Sequence, residues 1–463
     1  MKFKPQLDQT FRPMVLAYRS YVADVEKHPH KELKLCVERN DGYNYIFAYP
    51  IYDAAEKTEE NCRMAERIAK TLLWIVGGFK IYVAGDRAVF EYLKEAYTPR
   101  GLRAFDADFM ETVYESPFSV VFCDEKDFPA EKTCSLQVGG NLDGCRIGFD
   151  AGGSDRKVSA VVNGEVVYSE EVVWHPKVTE DPRYHYNEIL TAMRTAASKM
   201  PTVDAIGVSS AGVYVNNRIM VASLFLKVPK EAFRKTVRTM YIDVAKELSD
   251  EYGKEIPLEV ANDGDVTALA GAIDLNDTNV LGIAMGTSEA VGYINRNGGL
   301  NGWLSELAFV PVDYDKRAMT DEWSGDYGCG SKYFSQDAVI KLAESGGVRF
   351  DEKSTPAEKL NVVQQMMKNG DALAKTIYED IGIYLGYTLP YYAMFYDIRH
   401  VLLLGRVTSG TGGNIIMETA NRVLAEEFPQ LGLRVEMPDE KNRRVGQSIA
   451  AASLPRTREK ENV

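Results

Sequence analysis

The chain contains 463 residues, of which 45% are hydrophobic and 26% are charged. This length exceeds a single compact core and predicts two or three domains, and the composition excludes both wholesale disorder and a fibrous repeat. The formal net charge of -13 disfavours nucleic acid as a partner, because no run of Lys and Arg offsets the repulsion from phosphate backbones.

The distribution of apolar residues and cysteines disfavours a membrane or secreted location. No apolar stretch reaches the length of about 18 residues that a membrane-spanning helix needs, and the polar start lacks the apolar core of a signal peptide. The six cysteines are scattered without a Cys-x-x-Cys pair, which is typical of reduced thiols. We therefore expect a cytoplasmic protein without a membrane partner.

Residues 1–140 are predicted to form an N-terminal accessory domain of α/β or α+β type, whose role the sequence does not indicate. Its predicted elements are strands over 33–39, 43–52, 79–84 and 119–123 and helices over 58–76 and 87–96. Residues 125–144 are rich in charge, Pro, Lys, Thr and Gly and have the composition of a linker.

Residues 141–272 begin with three predicted strands and continue with alternating helices and strands. The predicted strands cover 145–150, 158–162, 165–174, 205–209 and 258–261, and the predicted helices cover 186–199, 230–251 and a segment from 266. A loop is predicted over 210–218. The dipeptide Asn163-Gly164 predicts a type I′ hairpin turn.

Much of this pattern recurs in residues 273–463. The predicted strands cover 280–284, 290–295, 401–404 and 433–436, and the predicted helices cover 372–396, 415–427 and 444–453. Because a strand, a turn of small residues and a second strand occur twice, the sequence predicts an α/β protein with two similar half-domains facing a cleft. In an alternative arrangement, the last helix returns to the first half-domain.

The first turn of small residues contains Asp150, Gly152, Gly153 and Ser154. Glycines allow backbone N–H groups to approach an anion, and a hydroxyl can donate to a phosphate oxygen. A carboxylate that precedes them can hold Mg²⁺ through water, since Mg²⁺ keeps most of its hydration shell. These residues therefore predict a phosphate site, and an ordinary glycine hairpin is the alternative interpretation.

The second turn contains Gly286, Thr287 and Ser288 at the end of a predicted strand. Alone it is a weaker indication of phosphate binding. Two such turns in successive halves of one chain favour a polyphosphate that is clamped from both sides.

Asn262 and Asp263 lie where a predicted strand ends and a helix begins. Both residue types are favoured helix caps, so helix capping alone explains the presence of at least one of the three polar residues in the segment 262–265. A carboxylate at the carboxyl end of a strand also faces the crevice in which open α/β sheets bind ligands. Within reach of a substrate hydroxyl, it could act as a general base for attack on a phosphoryl group.

Taken together, these motifs resemble the sugar-kinase/Hsp70/actin ATPase superfamily, and within it the ROK family (repressors, open reading frames and kinases of sugars). The resemblance covers residues 146–454 and rests on the order of the segments 148–154, 209–212, 260–263, 281–287 and 404–407. It implies two actin-like, ribonuclease H-like half-domains over 141–272 and 273–463. It also implies that ATP and Mg²⁺ are cofactors, that a sugar is the substrate and that the protein forms a homodimer.

The resemblance also implies a role for each candidate residue. Asp263 would be the catalytic base; the substrate ligands would be Asn262, Glu306, Ser210 and Gly212; and the nucleotide ligands would be Asp150 (Mg²⁺ through water), Gly152, Gly153, Ser154, Gly286, Thr287 and, near adenine, Gly405.

The sequence departs from the family pattern at its metal motif. Phe309 stands where the family has a zinc-binding histidine, Cys329 alone remains of the following cysteine cluster, and Ser331 replaces a sugar-binding glutamate. A structural zinc site needs about four soft or imidazole ligands, so we predict no zinc. The altered positions also mean that the family's usual sugar specificity does not transfer.

These residues support an ATP-dependent phosphotransferase that acts on a hydroxyl of a sugar or sugar-like molecule. One alternative is a regulatory protein that binds nucleotide or sugar with little or no catalysis. The lost zinc motif and the N-terminal region favour it, as does Arg406, which stands where the segment that resembles the family's adenosine motif (404–407) usually has a second glycine. A third interpretation is an ATPase that activates a partner enzyme docked on the N-terminal region.

Overall fold

The computed structural model describes residues 1–133, 138–438 and 446–457. The chain forms two compact units. Unit 1 comprises Met1–Cys134, Ile283–Val291 and Gly302–Met437, and unit 2 comprises Ser135–Gly282, Gly292–Asn301 and Pro438–Val463. The N-terminal residues thus share a compact unit with most of the C-terminal part of the chain.

The N-terminal part of unit 1 is a four-stranded sheet with four helices. The elements are α1 (Met14–Val25), β1 (His30–Glu38), β2 (Asn44–Tyr52), α2 (Thr58–Val76), β3 (Lys80–Ala84), α3 (Arg87–Ala96), α4 (Ala104–Tyr114) and β4 (Ser119–Phe122). The strand order is β2-β1-β3-β4, with β1 antiparallel to β2 and β3 and with β3 parallel to β4. The predicted strands and the bounds of α2 are confirmed, whereas α1 and α4 were not predicted.

Helix α2 is buried along almost its whole length although its sequence is rich in charged residues. The buried cations Arg67, Lys70 and Arg103 meet the buried anions Glu66, Asp106 and Asp326. One carboxylate, Asp326, lies 3.0 Å from Arg67, 3.1 Å from Lys70 and 2.9 Å from Arg103. Because three cations face three anions, the charges of this buried cluster balance, as burial requires.

Unit 2 is built on a five-stranded sheet. Its elements are β5 (Cys145–Ala151), β6 (Asp155–Val162), β7 (Glu165–Val173), α5 (Pro182–Ala197), β8 (Ala205–Ser210), β9 (Val213–Val215), β10 (Arg218–Val221), α6 (Lys230–Ala232), α7 (Met240–Tyr252), β11 (Leu258–Asn262) and α8 (Asp263–Leu275). The order is β11-β8-β5-β6-β7, with antiparallel hairpins on one side and parallel strands on the other. Asn163 and Gly164 have φ of 49° and 84°, which confirms the predicted type I′ turn.

Two predictions in unit 2 are wrong. Residues predicted as a loop form the hairpin β9–β10, whose turn places Asn216 and Asn217 at positive φ, a conformation that asparagine tolerates. The helix predicted over 230–251 is interrupted by a π-helical turn, Phe233–Val237. The carbonyl of Arg238 accepts a hydrogen bond of 2.9 Å from the Ile219 N–H on β10, so a tertiary contact takes an acceptor from the helix.

The C-terminal part of the chain contains β12 (Val280–Met285), β13 (Glu289–Ile294), α9 (Gln336–Ser345), α10 (Pro356–Lys368), α11 (Ala372–Tyr392), β14 (His400–Leu404), α12 (Thr411–Glu427) and β15 (Arg434–Glu436). Its sheet has the order β15-β14-β12-β13, which repeats the order β11-β8-β5-β6 of the unit 2 sheet without a counterpart of β7. The buried helix α11 packs against α12 through Gly382 and Gly386, where added Cβ atoms would lie 2.6 Å from Thr419 and 2.5 Å from Val423. The predicted α/β fold with two related sheets is confirmed.

The last helix, α13 (Gln447–Ala452), belongs to unit 2 and packs against β5 and β8. Cβ atoms at Gly148 and Gly207 would lie 1.6 Å and 1.7 Å from its carbonyl oxygens, so glycine is required at both positions. The prediction placed this helix over 444–453, and residues 444 and 445 lie outside the described residues. Within the described ranges, no helix is long and apolar enough to span a membrane.

Candidate functional site

Asp150 lies near the end of β5, in register with Ser209 on β8 and Lys157 on β6. Its side chain is buried. Burial raises the pKa of Asp150 to about 6, and the negative charge of Asp263 adds to that rise, while Ser209 and Lys157 oppose it. A buried carboxylate with a raised pKa binds a proton or a cation more readily than an exposed one.

The turn that follows Asp150 is held in place by Trp174. The Trp174 indole N–H donates to the Gly152 carbonyl at 2.8 Å, and its backbone N–H donates to the Ser154 carbonyl at 3.1 Å. A Cβ atom on Gly152 would lie 2.6 Å from the Asp155 carbonyl oxygen, so the turn requires glycine there. Gly153 and Ser154 are exposed, and the Ser154 hydroxyl donates to Asp155 at 3.2 Å.

Asn262 connects the end of β11 to the loop after β8. Its side-chain oxygen accepts the Gly264 N–H at 2.8 Å, which confirms the capping interpretation for this residue. Its side-chain NH₂ donates to the Gly212 carbonyl at 2.7 Å. Gly212 has φ of 147°, and a Cβ atom there would lie 2.4 Å from the Val221 carbonyl oxygen. These contacts place Asn262 and Gly212 together.

Asp263 is the first residue of α8. Burial raises its pKa, and a hydrogen bond of 3.1 Å from the Gly264 N–H to its carboxylate opposes that rise. The helix N-terminus provides a positive electrostatic environment for the ionised carboxylate. The Gln447 side chain donates to the Asp263 carbonyl at 3.1 Å and to the Thr267 hydroxyl at 2.8 Å, so α13 fixes the start of α8.

Two other polar residues of unit 2 lie close to these groups. Ser210 is fully buried, and its hydroxyl accepts a hydrogen bond of 3.0 Å from the Tyr241 hydroxyl. Asp265 was not given a role from the sequence; burial raises its pKa to about 7, and it accepts the Tyr293 N–H at 3.2 Å. The acidic composition of residues 262–265 was the available signal for Asp265.

In unit 1, the second glycine turn lies next to the end of β14. Gly405 has φ of 96°, and a Cβ atom there would lie 2.3 Å from the Met285 carbonyl oxygen, which also accepts the Val407 N–H at 3.0 Å. The Gly286 carbonyl accepts the Gln336 N–H at 2.9 Å, and Thr287 is exposed. The structure thus brings together Gly286, Thr287 and Gly405.

Glu306, the predicted substrate ligand of unit 1, is held by the C-terminal end of α2. The backbone N–H groups of Leu304, Ser305 and Glu306 donate to the carbonyls of Val76, Ile75 and Trp74 at 3.2, 2.9 and 2.9 Å. These are carbonyls that a helix leaves unsatisfied at its end. This arrangement could not be predicted from the sequence, because the donors and acceptors are far apart in the chain.

The altered metal motif is occupied by aromatic and buried side chains. The ring of Phe309 packs on Trp74 with 4.2 Å between ring centroids. Cys329 is fully buried, and burial raises the pKa of its thiol to about 12. In the described ranges, no group of three or more His, Cys, Asp or Glu side chains is placed to hold a metal ion.

Glu289 is a buried acidic residue of unit 1 that sequence reasoning missed. The Tyr392 hydroxyl donates to one carboxylate oxygen at 3.4 Å, and burial raises the pKa of Glu289 to about 8, with a contribution from the charge of Glu306. Within the described part of the chain, its other oxygen and the buried Ser331 hydroxyl have no hydrogen-bond partner. Its position directly after the second turn was the only signal in the sequence.

Comparison with known proteins identifies the family. The model of the ROK family matches residues 146–451. The chain is similar to the ROK hexokinase from Thermus thermophilus, with 16% identity, coverage of 67% of this chain and 97% of that chain, and a TM-score of 0.51. This similarity shows the fold.

Two further structures show similarity at lower TM-scores. A ROK glucokinase from Streptomyces griseus in complex with glucose and AMPPNP gives 17% identity, coverage of 67% and 98%, and a TM-score of 0.46. A ROK transcriptional regulator, a homologue of the E. coli MLC protein, gives 18% identity, coverage of 68% and 79%, and a TM-score of 0.49. A search among curated proteins gives no significant match. Since the family model spans well over half of the sequence, this chain belongs to the ROK family.

Proposed function

We propose that the protein is an ATP-dependent phosphotransferase that transfers the γ-phosphoryl group to a hydroxyl of a sugar or sugar-like substrate. The observation that carries this proposal is the pair of carboxylates beside the first glycine turn, in which the charge of Asp263 contributes to the raised pKa of Asp150. Membership of a family that contains sugar kinases supports the proposal. Phosphoryl transfer depends mainly on positioning and on the neutralisation of charge, and this arrangement offers groups for both.

Asp263 is the proposed general base. Its carboxylate would accept the proton of the attacking hydroxyl while that oxygen forms a bond to the γ-phosphorus. The bond between the γ-phosphorus and the bridging oxygen breaks, and ADP leaves with that oxygen. Burial strengthens Asp263 as a base because it raises the pKa, and the N-terminus of α8 keeps the ionised form accessible.

Asp150 is the proposed holder of Mg²⁺. The buried carboxylate of Asp150, with the partly buried carboxylate of Asp263 nearby, fits a divalent cation, and Mg²⁺ needs only one or two carboxylates because it retains several waters. Mg²⁺ would supply neutralisation of the phosphate charge when it is bound there. Asp150 itself would orient the hydration shell through its fixed place on β5.

The remaining residues are proposed as binding groups. Asn262 and Glu306 would hold the sugar, with Gly212 and Ser210 shaping the loop beside Asn262. The phosphates would contact the exposed turn residues, namely Gly152, Gly153, Ser154, Gly286 and Thr287, and the adenine would lie near Gly405. We further propose a cytoplasmic location and a homodimer, and light scattering of the purified protein tests the latter.

A regulatory protein without catalysis is the second candidate. The packing of Phe309 on Trp74 favours it, because an aromatic ring fills the position that the resemblance assigns to a zinc and sugar contact. The serine at position 331, where the resemblance places a sugar-binding glutamate, favours it as well. The presence of Asp263 on a rigid helix start favours the kinase, since a binding protein has no need of a base.

An assay of ADP release against a panel of sugars and amino sugars tests these alternatives. ADP release that depends on one sugar supports the phosphotransferase. Slow release that no sugar stimulates supports an ATPase that acts on a partner. Binding of sugar or nucleotide in calorimetry without any ADP release supports the regulatory protein and overturns the kinase.

A further inference from the structure

The first glycine turn in unit 2 is packed against the segment that follows β7. In addition to the two hydrogen bonds from Trp174 to the turn, the segment is fixed at its other end by the buried His185, whose imidazole Nε2 lies 3.0 Å from the Pro176 carbonyl oxygen. The Thr179 hydroxyl donates to the His175 carbonyl at 2.7 Å. The backbone of this segment is therefore held in a fixed position relative to the turn.

This arrangement places the ammonium group of Lys177 on the turn. Its Nζ lies 2.6 Å from the point that a Cβ atom of residue 153 would occupy, and its Cε lies 2.7 Å from the same point. The absence of a side chain at Gly153 therefore makes room for the end of Lys177. Lys177 also lines, with Gly153 and Ser154, a shallow pocket of about 190 Å³ that is open to solvent.

Lys177 has no anionic partner in the part of the chain that the structure describes. This distinguishes it from most cations near the sheet, such as Arg156, which pairs with Glu170 at 3.3 Å and Glu188 at 2.9 Å. Because no carboxylate neutralises its charge, the ammonium group beside this exposed glycine turn is available to bind an anion from solution.

The charges around the turn show why such a cation is needed. The residues proposed to bind the phosphates contribute N–H groups and hydroxyls, and the nearby carboxylates are Asp150, Asp155 and Asp263. The nearby cation Lys157 already pairs with Glu171 at 3.6 Å. A triphosphate carries several negative charges, which these carboxylates would repel. A lysine ammonium is a compact charge that suits phosphate oxygens, and it would offset that repulsion.

We propose that Lys177 is a phosphate ligand, whose ammonium group pairs with an oxygen of the terminal phosphates of the nucleotide at the Gly152–Ser154 turn. This inference rests on the proposed function. The competing interpretation is an exposed lysine that is solvated and contributes nothing to binding. The two interpretations differ in how the affinity depends on the number of phosphates.

Calorimetry with a slowly hydrolysed ATP analogue, ADP and AMP, each with Mg²⁺, tests the proposal on the full chain. We expect Lys177→Met to weaken binding of the ATP analogue roughly tenfold and binding of AMP less than about twofold, as removal of one charged hydrogen bond predicts. Lys177→Arg should retain most of the affinity because it keeps the charge. The matched control Lys227→Met removes another exposed lysine of unit 2 and should bind as the unmodified protein does.

The outcomes separate this inference from the proposed function. Unchanged affinity of Lys177→Met for the ATP analogue, with normal binding by the unmodified protein, overturns the role of Lys177 and leaves the phosphotransferase intact. An equal loss for AMP and for the ATP analogue also overturns it, because that result indicates a general disturbance of the turn. Absence of any Mg²⁺-dependent binding by the unmodified protein overturns both proposals.

Discussion

The side-chain amide of Asn262 donates a hydrogen bond of 2.7 Å to the carbonyl of Gly212. This contact joins the residue next to the proposed base to a loop whose conformation only glycine adopts without strain, because Gly212 has φ of 147°. The same amide caps α8, so the position of Asn262 depends on the loop and on the helix at once.

Replacement of Gly212 by Ala is therefore expected to disturb Asn262. The new Cβ atom would lie 2.4 Å from the Val221 carbonyl oxygen, and we expect a loss of about 1–3 kcal/mol in the free energy of unfolding. Urea denaturation measures this loss, and the KM for the sugar should rise in the same variant. The control Gly253→Ala changes a glycine at φ of 63° with open space around it, so it isolates the backbone cost of about 1 kcal/mol. Equal losses in both variants would contradict the steric argument.

Replacement of Asp263 by Asn should slow transfer strongly while folding and nucleotide binding persist. The amide keeps the size of the side chain but cannot accept the proton, and we expect kcat to fall by about 10² to 10⁴. Steady-state kinetics with the identified sugar measure kcat, and calorimetry with the ATP analogue provides the control. Wild-type turnover in this variant would show that Asp263 is not the base.

The raised pKa of Asp150 predicts how stability depends on pH. The folded protein has a pKa of about 6 at this group and the unfolded chain about 3.8, so between these values the folded state binds more protons. The contribution of Asp150 to the free energy of unfolding therefore falls as the pH rises from about 4 to about 6 and stays low above that range. We expect Asp150→Asn to stabilise the ligand-free protein at pH 7 by roughly 2 kcal/mol and to have little effect at pH 4. Urea denaturation at the two pH values tests this, and a gain at pH 4 alone would contradict it.

The buried cluster around α2 predicts a large cost for the loss of one charge. Arg67→Met should lower the free energy of unfolding by about 3–5 kcal/mol, because Glu66 and Asp326 would stay buried with one cation fewer. The control Lys235→Met removes a cation from an exposed pair with Glu231 and should cost less than about 1 kcal/mol. Denaturation curves of both variants provide the comparison, and similar small losses would count against a tightly coupled cluster.

The packing of Phe309 predicts that zinc plays no structural role. We expect elemental analysis of the purified protein to find no stoichiometric zinc and the melting temperature to be unchanged by a strong chelator. Phe309→His should also fail to recruit zinc, because Cys329 alone cannot complete the four ligands that such a site needs. Stoichiometric zinc in the unmodified protein would overturn this prediction.

The sequence predicted the elements that depend on local signals. Helix α2 ends at Val76, directly before Gly77, the Asn163-Gly164 turn has the predicted type, and the cap formed by Asn262 follows from its side-chain chemistry. Helices α1 and α4 escaped prediction because their apolar and polar faces are only weakly separated.

The parts of the site that depend on long-range packing could not be predicted. In the sequence, nothing distinguishes Lys177 from other lysines. Only its contact with the turn at Gly153 in the folded protein indicates a role for its ammonium group. The packing of Phe309 on Trp74 likewise joins residues separated by more than half of the chain. No periodic pattern or spacing encodes such a contact.

The three amides that cap the end of α2 have a practical consequence for dissection of this protein. A truncated chain that begins after residue 140 would leave the N–H groups of Leu304, Ser305 and Glu306 without their acceptors and would uncover Phe309. Loss of activity on truncation would then report damage to the loop that carries Glu306, and it would not show that the N-terminal region docks a partner. Point changes on the outer surface of the first 133 residues are the sounder way to ask whether that region recruits anything.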